Sequence, residues 1–290
     1  MESESESAEV ASRAEADRTL RSVAAIRARA ASAPRGSAML QLAYSLMLAA
    51  YMALFVYTGS NEGGASVFGG TTMALVLPPM IVSTGLVNGA AERHGGRLRS
   101  PRRQWLAVGI FLALLGVILV WGVAGGGYPW WLALASAVVT IVLFGARPAA
   151  LLLRSSGTAR RTEPADARAP LSSGPRTVTV VMAVYFGAVC ATLLVPTVVW
   201  AVTSIGMIGV ILALSAQTSE YGLMRTGWEW AAPQWIAFAV AVAVMFLLAA
   251  LIIAANLVTP VIAILAGCLV TVVLAASALL PGRGHGAPQA

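Results

Sequence analysis

Residues 178–215 read VTVVMAVYFGAVCATLLVPTVVWAVTSIGMIGVILALS, with no charged side chain and a single proline, Pro196, near the middle. One helix of that length would rise on the order of 57 Å at about 1.5 Å per residue, nearly twice the ~30 Å of bilayer hydrocarbon. Proline removes a backbone donor and disfavours helical geometry in the residue before it. The stretch therefore reads as two short membrane spans that meet at Pro196.

The other apolar segments each fit one crossing of about 20 residues. They are 38–57, 67–90, 105–124, 129–146, 235–255 and 260–280. With the divided stretch, the sequence predicts an all-α integral membrane protein of about eight spans. A mean hydropathy of +0.80 and a charged content of 11% agree, because a soluble chain of this length needs far more charge at its surface.

The formal charge is +7, and every basic residue except the two histidines is arginine. The arginines gather in 13–35, 93–103 and 147–176, before or between spans, whereas 59–66 and 125–128 contain none. This is the positive-inside pattern, so a cell-membrane protein with a cytoplasmic N-terminus is expected and a nucleic-acid role is not. Seven spans would move Arg225 and Arg283 outside. Trp105, Trp121, Trp130, Trp131, Trp200 and Trp235 fall at span ends, at the depth of an aromatic belt. Residues 1–37 lack the apolar core of a signal peptide and read as a cytoplasmic tail, partly disordered or forming an interfacial helix.

An internal repeat organises the spans. Gln104-Trp105-Leu106-Ala107 opens the third and Gln234-Trp235-Ile236-Ala237 the seventh, an offset of 130 residues from 104 to 234. Pro129 precedes Leu134-Ala135 and Val139-Thr140, and Pro260 precedes Leu265-Ala266 and Val270-Thr271, an offset of 131 from 129 to 260. The expectation is two parallel four-helix repeats, 38–153 and 177–280, joined by an arginine-rich linker at 154–176 and followed by a C-terminal tail at 281–290. The same pairing sets the Glu92 loop against the Glu220 loop.

Candidate chemistry is sparse. No span carries paired carboxylates, a Gly-x-Ser-x-Gly elbow or a phosphate-binding glycine loop, and His94 and His285 have no companion at metal-ligand spacing. No enzyme activity, cofactor or metal is expected. Cys190 and Cys268 lie inside apolar segments and read as small hydrophobes. The second span is the least ordinary, with Pro78 and Pro79 near its middle and Ser83, Thr84 and Asn88 beyond them. Pro79 frees a carbonyl one turn upstream, which makes the site either a packed kink or a hinge facing a substrate. Arg97, Arg99, Arg102 and Arg103 are suited to anionic lipid headgroups or an acidic partner. Trp228 and Trp230, in the loop 217–233, suit the interface or a docking subunit.

The leading expectation is a noncatalytic membrane subunit or transporter permease component acting with a partner. A self-sufficient facilitator or lipid-handling protein is the alternative, and a membrane enzyme ranks last.

Overall fold

The computed structural model describes residues 34–62, 71–93, 128–154, 168–216, 219–255 and 257–283, and between these 106, 109–111, 113–114, 116–118 and 120–121. Among these residues, seven helices are long and apolar enough to cross a membrane. They are α1 (Pro34–Glu62), α2 (Thr72–Arg93), α3 (Trp130–Arg154), α4 (Ser173–Ala191), α5 (Pro196–Ser215), α7 (Ala232–Ala255) and α8 (Pro260–Ser277). Between α5 and α7 lies the short helix α6 (Leu223–Glu229). The described residues of the expected third span are also helical. The chain is thus an all-α, multi-pass membrane protein.

Proline and hydroxyl side chains set several boundaries. After α4 ends at Ala191 the backbone turns through residues 192–195, and Pro196 starts α5 at a position where its missing N–H costs nothing. Thr259 caps α8, its Oγ1 accepting from Ile262 N at 3.3 Å, with Pro260 following at the first helical position. Gly174 and Pro175 lie in the first turn of α4, which begins at Ser173, earlier than the hydropathy edge at 178. α2 likewise begins later and ends later than expected, at Thr72 and Arg93 rather than 67 and 90.

Apolar side chains face outward as well as inward, as a hydrocarbon solvent requires. Ile205 and Leu212 on α5 and Val261 and Leu265 on α8 are exposed. α2 is the most enclosed span and α5 the least. Tyr51, Leu75, Leu86, Phe186, Met245 and Leu274 form part of one buried cluster that joins α1, α2, α4, α7 and α8. A second cluster joins Leu48, Met52, Phe55 and Val56 of α1 to Phe111, Ile118, Tyr128 and Ala133. With no hydrophobic drive between helices in lipid, close backbone approach supplies much of the attraction. Gly187 of α4 and Gly267 of α8 meet this way: a Cβ on Gly267 would lie 2.6 Å from Gly187 O.

Many helix ends gather on one face. The start of α7 bonds to the end of α8 through Gln234 Nε2, which donates to Ser277 O and Leu280 O. Arg93, at the end of α2, donates from Nη1 to Trp228 O at 2.9 Å. Two short strands, β1 (Arg168–Ala169) and β2 (Gly282–Arg283), pair antiparallel and tie the linker before α4 to the residues after α8.

Candidate functional site

The densest polar structure among the described residues is a knot on that face, built around α6. Its seven residues are too short a helix to stand alone, and they are held by glycine contacts on both sides. A Cβ at Gly227 would strike Leu86 O, and one at Gly89 would strike Met224 O, so α6 and α2 touch backbone to backbone. On the other side, a Cβ at Gly174 would strike Glu220 O. Glu229, the last residue of α6, is buried with 3% of its surface exposed. Its Oε2 accepts from Ser172 N at 3.1 Å, and Ser172 Oγ lies 2.9 and 2.8 Å from Oε1 and Oε2. Arg225 Nε donates to Oε1 at 3.3 Å. A buried carboxylate is stable only when paired and hydrogen-bonded, and this one binds the linker to α6. Its lone pairs are occupied by neighbours, which suits a latch better than a general base.

Two further residues complete the knot. Trp230 is 1% exposed, and its Nε1 donates to Thr179 Oγ1 at 3.1 Å, with its ring edge-on to Trp235 at 5.3 Å. Gln234 is fully buried, and its Oε1 accepts from Ala231 N while its amide bridges to the end of α8. Tryptophan and glutamine inside a membrane protein need partners for their polar atoms, and here each has them.

The residues singled out from the sequence fall in different places. Trp230 faces the core, so an exposed docking role does not fit its side chain; its indole N–H is needed by Thr179. Trp228 is half-buried, with its carbonyl taken by Arg93. Arg97, Arg99, Arg102 and Arg103 lie outside the described residues. Pro78 and Pro79 are buried within a continuous α2. The hydroxyls beyond them bond back one turn, Ser83 Oγ and Thr84 Oγ1 both donating to Met80 O at 2.8 and 2.9 Å, short of the carbonyls the prolines free. Thr84 is exposed and meets Tyr44, their hydroxyl oxygens 2.9 Å apart, and Asn88 is half-buried.

Sequence reasoning missed Glu229 and Ser172. The one available signal was an acid between two tryptophans, Trp228-Glu229-Trp230, immediately before a span. No group of three or more His, Cys, Asp or Glu able to hold a metal occurs among the described residues, and Cys190 and Cys268 are both free thiols. No family model, curated protein or solved structure matches the chain.

Proposed function

We propose that the protein is a noncatalytic membrane component that works with a partner, as a subunit or permease element, rather than as a self-contained enzyme or pump. The observation that carries this reading is the distribution of charge. Glu92, Arg93, Arg147, Arg176, Glu220, Arg225, Glu229 and Arg283 lie at or beyond helix ends or in the last turns, and the middles of the spans hold only neutral side chains. Coupled carriers and pumps generally use ionisable groups within the membrane. Energy or chemistry, if this protein serves either, then comes from another chain.

The same contacts support eight crossings with the arginine-bearing face inside. Tyr44 in the first half of α1 meets Thr84 in the second half of α2, and Gly145 in the second half of α3 packs against Ser45 and Leu42. If α2 and α3 both end beside the start of α1, the chain between them crosses once. Phe111 against Phe144 and Tyr128 against Ile118 trace that crossing from one face to the other. The repeat is supported by equivalent pairings, since α1 packs chiefly on α3 and α4 chiefly on α8. Thr140 and Thr271, matched by the repeat, each donate to the carbonyl four residues earlier.

The test is purification of the natively expressed protein in mild detergent, with quantitative mass spectrometry of all retained chains. The proposal expects a second protein at near-equal molar amount. Recovery of the chain alone, in a preparation that keeps a control membrane complex intact, would overturn it.

A further inference from the structure

Where α1 and α2 face each other they carry a short polar row, Gln41 and Tyr44 on α1 and Thr84 and Asn88 on α2, of which only the two hydroxyls are paired among the described residues. Tyr44 donates to Thr84 Oγ1, because the threonine's own proton is given to Met80 O. One turn nearer the arginine-bearing face on each helix stand Gln41 and Asn88. The helices run antiparallel, so three residues back from Tyr44 and four forward from Thr84 reach the same depth and the same side. Both carboxamides are half-exposed, and among the described residues neither has a hydrogen-bond partner. Such amides are costly at membrane depth unless something polar meets them.

The depth indicates what that is. At about 1.5 Å per residue, Asn88 lies about 7 Å and Thr84 about 13 Å inside Arg93. The interfacial zone on each side of the hydrocarbon is about 5–7 Å thick. With Arg93 at the headgroups, the two amides stand at the level of the glycerol esters. Deeper along the same two helices the surface turns apolar, with the exposed Leu77 on α2 beside Met47 and Met80, which are partly buried against the core. A diacyl phospholipid presents those chemistries in that order: an anionic phosphate for Arg93's level, ester carbonyls that accept hydrogen bonds, then acyl chain.

We propose that this α1–α2 surface binds a diacyl glycerophospholipid, with the Gln41 and Asn88 amides donating to its ester carbonyls and one acyl chain lying along Leu77 and Met80. The site does not depend on a protein partner. Its occupant differs from the annular lipid that any exposed face attracts, such as the Ile205, Ile208 and Leu212 face of α5, which has no charged or amide donors.

The experiment uses the full chain in nanodiscs containing a trace of phosphatidylglycerol with a photoreactive diazirine on one acyl chain, followed by peptide mapping. Labelling is expected to concentrate at least fivefold on 41–48 and 77–88 over the α5 face. Gln41→Leu with Asn88→Leu should abolish that excess. An unlabelled diester lipid should compete several times better than its diether analogue, which lacks the carbonyls and tests the site without any mutation. Labelling spread evenly over all lipid-facing helices, or equal competition by diester and diether lipids, would overturn the proposal.

Discussion

Replacing Glu229 with alanine tests the knot where its parts converge. The substitution removes the acceptor for Ser172 N, Ser172 Oγ and Arg225 Nε. Hydrogen bonds to a charged group contribute about 1.5–3 kcal/mol each, but three corrections reduce the sum. Arg225 is more than a third exposed, so its share is small. Ser172 Oγ supplies one proton to two oxygens, so its pair counts once. Ser172 is also the N-cap of α4 without a side-chain capping bond, and once released it can cap its own helix and recover about 1 kcal/mol. Two such bonds less the recovered cap leave a net loss of about 2–5 kcal/mol. On the scaling known for soluble domains this lowers the unfolding midpoint by roughly 4–20 °C, measured by thermal unfolding in detergent. Glu229→Gln, which keeps one acceptor oxygen, should fall between, and Glu220→Gln, at an exposed position, should match the parent. A Glu229→Ala protein that unfolds with the parent would refute the latch.

Gly187→Ala places a Cβ against Thr271 Oγ1 and 2.7 Å from Gly267 O, and should cost about 1–3 kcal/mol by overpacking; Gly209→Ala, with open space around it, should be neutral in the same unfolding assay. Trp230→Phe keeps most of the buried ring but leaves Thr179 Oγ1 without its donor, and should lose about 1 kcal/mol, with the tryptophan fluorescence of the folded state changed accordingly.

The parts of this fold that were legible in the sequence are those governed by length and hydropathy. A span must be about 20 apolar residues long, and Pro196 falls where the overlong stretch divides. The helical hairpin of α4 and α5 follows from that one residue, and Tyr185 confirms its closeness by donating to Thr203 O across the turn. The knot was hidden for two reasons. α6 is short and mixed in character, so neither helical period nor hydropathy marks it, and its stability comes from backbone contact with α2 at Gly89 and Gly227. Glu229 finds its partner 57 residues away at Ser172, a separation that no local pattern encodes. Trp230 was read as interfacial because tryptophan commonly is, and tertiary packing placed it inside. The strand pair of Arg168–Ala169 with Gly282–Arg283 joins a linker to a tail, each too polar and too brief to show a period. Gln234 was visible as an anchor of the repeat, but its bridge to Ser277 and Leu280 required the folded bundle.

The proposed topology, eight crossings with the arginine-bearing face inside the cell, is tested most directly by cysteine labelling. After Cys190 and Cys268 are replaced by alanine, single cysteines are introduced for Leu194, in the turn between α4 and α5, and for Tyr221, just before α6; both positions are exposed. An impermeant thiol reagent applied to intact cells should label Leu194→Cys and leave Tyr221→Cys unmodified until the cells are opened. Labelling of Tyr221→Cys in intact cells, with Leu194→Cys protected, would contradict eight crossings with the arginine-bearing face inside.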